Sequence, residues 1–290
     1  WAVPLPAQTL VGPGDGPVVP APAGPKMAAA GLVLGARPVD VPMSFDGSRW
    51  RLPLERLEGA LTPRTRAIFV NTPSNPAGWV ADEETLAALV DLSRRHGVWI
   101  IADEIYARFS WAEGRTRAPS LHDVAADDDL VIHVNTFSKN WAMTGWRIGW
   151  VLVPEDVAPV MKKLIQYATS GVATFMQRAG VVALEHGAGF VDHQVARARK
   201  GREIVLEALG DHPKVRLSMP DGAFYALFEI AGTTDAAVQA KRIVDEANVG
   251  LAPGTAFGAG AETFQRLCFA RGEESLREAM GRLVDWLDRV

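Results

Sequence analysis

Apolar runs of strand length alternate with segments of helical period through the first two thirds of the chain. The runs at residues 17–20, 38–42, 67–72, 98–103, 130–136 and 148–153 predict strands. Between them, residues 27–35, 82–96 and 155–167 carry the helical period. Asp82 fits an N-cap, and Glu83 and Glu84 suit the positive end of the helix dipole. Strands that are apolar almost throughout have no solvent face. Alternating with helices, they imply an α/β fold: a mostly parallel sheet sandwiched by helices.

Past residue 190 the pattern changes. A long helix is predicted over 190–209, with "RARKGRE" on its solvent side. Strands at 215–218, 225–229, 249–252 and 265–270 then intersperse with helices at 234–247 and 274–288. This is a smaller α+β unit. The expected division is residues 1–195 for the large unit and 196–290 for the small one, joined by the long helix. No internal repeat, low-complexity tract or flexible linker interrupts them. The opening, "WAVPLPAQTLVGPGD", reads as the end of a helix carrying two prolines, followed by a "GPGD" turn at 12–15.

Composition narrows the function. With 290 residues, 48% hydrophobic and 22% charged, the chain has the make-up of an ordinary globular protein with a sizeable core. A net charge of −4 offers no polyanion-binding face, so nucleic acid is not an expected partner. The single cysteine, Cys268, precludes an intramolecular disulfide and fits the reducing cytoplasm; it reads as an inert buried thiol. The six histidines are scattered, and no metal is expected. No apolar run reaches membrane-spanning length.

The chemistry collects at strand ends. In open α/β sheets, ligands bind beyond the carboxyl ends of the strands. There stand Asn75 in "NTPSNPAG", Asp103 and Tyr106 in "DEIY", and Thr136, Ser138 and Lys139 in "TFSK", with Arg147 eight residues on. Lys139 is uncharacteristically isolated from other charge, among small hydroxyl and apolar residues. Pyridoxal 5'-phosphate needs this set: an amine for its aldehyde, a carboxylate for its ring nitrogen, donors for its phenolate and a cationic, hydroxyl-rich cradle for its phosphate. Desolvation also makes a lysine lose its proton more readily, as a Schiff base requires.

The blocks "NPAG", "DEIY", "SKNWAMTGWRIGW" and "RLCFA", in this order and spacing, resemble those of the class I/II aminotransferases of fold type I. Each block alone is weak; the four together are specific. The resemblance implies transamination of an L-amino acid to a 2-oxo acid through a Lys139 aldimine. It assigns Asp103 to the pyridine nitrogen and Tyr106 and Asn75 to the phenolate oxygen. Thr136, Ser138 and Arg147 would bind phosphate. Arg266, helped by Asn75, would hold the substrate carboxylate as a bidentate fork. It also implies a homodimer, to which residues 168–177 would contribute contacts.

Two departures accompany the resemblance. The family places an aromatic ring over the cofactor where this chain has Gly24. The family's N-terminal segment, which completes the phosphate cup and the substrate wall, has no counterpart here. Other reactions of the same cofactor (β-elimination, racemisation, oxidation) and an incomplete, non-catalytic homologue are the competing readings. Trp141, Trp146 and Trp150 are expected in the core or a subunit interface.

Overall fold

The computed structural model describes residues 3–290. The chain begins with α1 (Pro4–Leu10), then β1 (Val18–Ala21), α2 (Lys26–Val33) and β2 (Val39–Pro42). A small hairpin of β3 (Ser44–Phe45) and β4 (Trp50–Arg51) precedes α3 (Leu54–Gly59), β5 (Ala67–Asn71), α4 (Glu83–His96) and β6 (Trp99–Asp103). Next come β7 (Val131–Thr136), the one-turn helix α5 (Phe137–Asn140) and β8 (Gly149–Leu152). Three helices follow, α6 (Ala158–Thr169), α7 (Thr174–His186) and the long α8 (Ala188–Leu209). The chain closes with β9 (Val215–Leu217), β10 (Tyr225–Ile230), α9 (Ala236–Ala247), β11 (Ala252–Pro253), β12 (Phe264–Cys268) and α10 (Glu273–Arg289).

The first sheet has the order β2-β1-β5-β6-β7-β8. All its pairings are parallel except β7 with β8. Its central strands are buried on both faces, and their side chains divide by the two-residue period. Ala67 and Phe69 of β5, with Ile101 of β6, enter one core; Ile68 and Val70, with Ile100 and Ala102, enter the other. The second sheet, β11-β12-β10-β9, is antiparallel. The mostly parallel sheet and the smaller α+β unit are thus as the sequence pattern predicts. Among the described residues, no helix is long and apolar enough to cross a membrane.

Local signals explain most boundaries. Asp82 caps α4, accepting from the Thr85 N–H at 2.8 Å, and Gly97 ends it in the left-handed conformation at φ 61°. The prolines of the opening do not break α1. Pro4 and Pro6 lie in its first turn, where backbone N–H groups have no intrahelical partner. The helix packs against α2 and α6.

Other elements depart from the pattern. The strand expected over 249–252 shrinks to Ala252–Pro253, because Asn248 turns left-handed at φ 54° and delays the pairing with β12. Helix α6 starts at Ala158 rather than 155, and α7 takes over part of the stretch 168–177. The sequence concealed α7 because Phe175, Val181, Val182 and Leu184 are all exposed, so its apolar residues mark no core-facing stripe. Trp141 and Trp150 pack around Phe137, as expected, whereas Trp146 is 41% exposed. Cys268 is free and only half-buried.

Helix α8 joins the two halves, and Gly201 is its closest approach: no Cβ fits there against the Phe269 carbonyl. Gly281 in α10 faces open space. Gly201→Ala should therefore lower the unfolding free energy by roughly 1–3 kcal/mol through overpacking. Gly281→Ala should raise it by about 0.5–1 kcal/mol through helix propensity alone. Urea unfolding of the two variants checks both signs; equal effects would contradict the packing.

Candidate active site

Parallel pairing brings the predicted chemistry to one edge. Asn71 at the end of β5 pairs with Asp103 at the end of β6, and Asp103 with Val134 of β7. Beyond those ends lies a cavity of about 710 Å³, lined on the sheet side by Asp103, Thr136, Ser138, Lys139 and Arg147. Helices α1 and α2 supply its other wall, including Gln8 and Lys26.

Asp103 is 3% exposed, and its Oδ1 has no hydrogen-bond partner. Burial pushes its pKa up to about 6, against the opposing influence of the Lys26 ammonium, the Ile105 N–H and Lys139. A carboxylate of this kind calls for a cationic or N–H partner, which a protonated ring nitrogen supplies.

Lys139 projects from α5, the single turn that β7 enters. Thr136 caps that turn by accepting from the Ser138 N–H at 3.1 Å. The Lys139 Nζ lies 5.5 Å from the centre of the Tyr106 ring and 6.0 Å from that of Phe224. Burial, then the like charge of Lys26, lowers its proton affinity, while Cys268 and Asp103 act the other way. A lysine so placed is closer to the neutral, nucleophilic form than one in water.

Thr136 Oγ1 lies 3.0 Å from Ser138 Oγ and 3.2 Å from the Ile148 carbonyl. Arg147, in the left-handed region at φ 53°, donates to the Thr144 carbonyl at 2.8 Å. It stands exposed at the rim, not sequestered among the neighbouring aromatic residues. Two hydroxyls and a guanidinium on one side of the cavity match the donors an anion such as phosphate takes.

Tyr106 is buried, with its hydroxyl 3.2 Å from that of Tyr225 and its ring edge-on to Phe224. Burial holds its phenol protonated, well above the usual range, so it can donate. Asn75 is positioned by Asn71, whose Oδ1 accepts from the Asn75 N–H at 2.8 Å. Across the gap between the sheets, Arg266 Nη1 donates to Asn75 Oδ1 at 3.0 Å. The Arg266 guanidinium is held between the rings of Tyr225 (4.7 Å) and Phe257 (4.9 Å), and its buried Nε has no partner. Rings on both sides fix the plane of the fork and leave donors free for a carboxylate.

All the singled-out residues thus lie at the carboxyl edge of the parallel sheet or face it from β12. Gly24 is beside Asn75: a Cβ there would be 3.6 Å from Asn75 Nδ2. Among the described residues, no aromatic side chain lines the cavity. Sequence reasoning missed Lys26, Tyr225, Phe257 and Asn71. Tyr225 and Phe257 carried no signal beyond apolarity, and Lys26 directly precedes the helical segment expected from residue 27 with no motif to single it out. Asn71 lies four residues before Asn75, a spacing at which a side-chain carbonyl can reach a backbone N–H.

The aminotransferase class I and II family model matches residues 4–283. An aspartate aminotransferase of Pyrococcus horikoshii is 33% identical over 284 residues, 97% of this chain and 71% of the relative. An arginine–pyruvate transaminase of Pseudomonas aeruginosa is 34% identical over 278 residues, covering 96% and 70%. Among solved structures, an aromatic aminotransferase from Pyrococcus horikoshii superposes with a TM-score of 0.93 at 30% identity, over 99% of this chain and 77% of that one. An aspartate aminotransferase from Thermotoga maritima gives 0.90 at 32% identity, over 99% and 73%.

Asp103 sets a pH dependence. Its pKa is higher folded than unfolded, so the native state holds the proton more tightly. The stability it contributes is present below about pH 4 and is lost as pH rises through about 6. Relative to Asp103→Asn, the cofactor-free wild-type chain should lose roughly 3 kcal/mol across that window. Urea titrations of both proteins at several pH values measure this. Parallel stability profiles would refute a shifted Asp103.

Proposed function

Because the chain belongs to the class I and II aminotransferases, whose members use pyridoxal 5'-phosphate, we propose that its cavity-lining residues hold this cofactor. Its reaction is the transfer of an amino group from an amino acid to a 2-oxo acid. The observation that best supports this division of roles is the placing of Lys139, Asp103, Thr136, Ser138 and Arg147 around one cavity.

Bound pyridoxal phosphate supplies an aldehyde that takes up the amino group and a ring that accepts the electrons freed at the substrate Cα. Lys139 would hold the cofactor through its amine until substrate arrives. Once free, its Nζ would serve as general base toward the substrate Cα proton and then as the acid that gives that proton back. Partial burial suits it to both tasks by weakening its hold on its own proton. Asp103, once ionised, holds the ring nitrogen protonated. Tyr106 and Asn75 donate to the phenolate oxygen, and Thr136, Ser138 and Arg147 hold the phosphate.

Arg266 and Asn75 hold the substrate carboxylate. Arg266 comes from the antiparallel sheet and Asn75 from the end of the parallel one, so binding there draws the two together and excludes water. Relatives named for aspartate, aromatic amino acids and arginine support an L-amino acid as donor.

Two copies of the chain would cover the face formed by α6 and α7. Tyr167 is 84% exposed there and Phe175 64%, and Val181, Val182 and Leu184 extend the apolar surface. The free Cys268 supports a reducing compartment, the cytoplasm.

Borohydride reduction of the loaded protein, followed by peptide mapping, should place the pyridoxyl group on Lys139. Lys139→Ala should lose both the adduct and transamination while remaining folded; an adduct on another lysine would overturn the assignment. Arg266→Lys keeps the charge and loses the planar fork. Apparent affinity for amino acids should fall by tenfold or more, about 1.4 kcal/mol or greater, with cofactor affinity little changed. An unchanged amino-acid affinity would exclude Arg266 as the carboxylate clamp.

A further inference from the structure

Lys26 opens α2 and is exposed on the wall of the cavity opposite the sheet edge. No described carboxylate lies within ion-pair distance of it. Asp103, which lines the same cavity, has a buried carboxylate oxygen with no partner. One cationic group and one anionic group thus face a shared space, neither of them in a salt bridge among the described residues, with the Lys139 amine on the same lining.

We propose that Lys26 is a positioning residue of this site: its ammonium shares the cavity with Asp103 and Lys139 and serves both, as counter-charge to the carboxylate and as like charge to the amine. One cation in that place favours an ionised carboxylate and a neutral amine. Those are the states needed to hold a protonated ring nitrogen and to attack an aldehyde. The two tasks pull in opposite directions if Asp103 and Lys139 act alone, because an anionic Asp103 tends to keep Lys139 protonated. A third charge on a separate element resolves that conflict.

The surrounding charges agree with this assignment. After burial, Lys26 is the strongest influence on Asp103, ahead of Lys139 and Glu104. After burial it is again the strongest influence on Lys139, ahead of Cys268, Asp103 and Arg147. Glu104 points away: its carboxylate accepts from Ser120 Oγ at 2.6 Å and the Leu121 N–H at 2.7 Å. Arg147 is exposed at the rim and engaged with the Thr144 carbonyl.

The inference rests on Lys139 being the reactive amine, which borohydride mapping decides independently. Its own test is the reactivity of Lys139 in the full chain without added cofactor. Trace acetic anhydride labels neutral amines, and peptide mass mapping gives the labelling of Lys139 between about pH 6 and 11. In Lys26→Met and Lys26→Gln the midpoint for Lys139 should rise by roughly half a unit or more, and Lys26→Arg should restore it. At a pH below the midpoint, half a unit corresponds to about a threefold drop in labelling rate. An unchanged midpoint in the two neutral variants, or an arginine variant that behaves like them, would overturn the proposal. Lys214, whose Nζ donates to the Leu287 carbonyl far from the cavity, provides the internal reference.

Discussion

Parallel pairing of β5, β6 and β7 is the constraint on which the site depends. Three strands running in one direction must end at one edge. The register that sets Asn71 against Asp103, and Asp103 against Val134, aligns those ends to within a residue. Side chains from Asp103 to Arg147 then face a common cavity. An antiparallel arrangement of the same strands would have sent Asp103 and Lys139 to opposite edges. The two cores that hold the sheet rigid also set its position, since alternate residues of β5 and β6 feed each of them.

Burial supplies the reactivity. Asp103 and Lys139 are an acid and a base, and removal from water moves them in opposite directions, the acid up and the amine down. Each is thereby brought nearer to the pH at which proton transfer is useful. The same low-dielectric environment keeps the Tyr106 phenol protonated and able to donate. Cations around the pocket then decide how far Asp103 ionises. That gives the lining of α2 a part in the chemistry, although nothing in the local sequence marks it as functional.

The Arg266–Asn75 hydrogen bond spans the two sheets and connects residues 191 positions apart. It joins the unit that carries Lys139 and Asp103 to the unit that carries Arg266. Because Tyr225 and Phe257 flank the guanidinium, Arg266 is oriented before any ligand arrives.

Lys139, Asp103, Tyr106, Asn75, Thr136, Ser138, Arg147 and Arg266 were all picked out in the sequence, and the fold sets them at the carboxyl edge of the parallel sheet or opposite it on β12. Each sits in a short block whose composition reflects a local rule: a strand end, a cap or a turn. The parallel sheet was legible for the same reason, since strands without a polar face must be covered on both sides. Helix α7 was not, because its apolar residues are left exposed and give no one-sided pattern. The β3–β4 hairpin was too short to show a period. Only the tertiary structure decided that Arg147 stands exposed at an open rim. Lys26 carried no motif or spacing that singled it out. Only the fold sets Lys26 on the wall of the cavity that Asp103 also lines, and no property of its own neighbours could have indicated that.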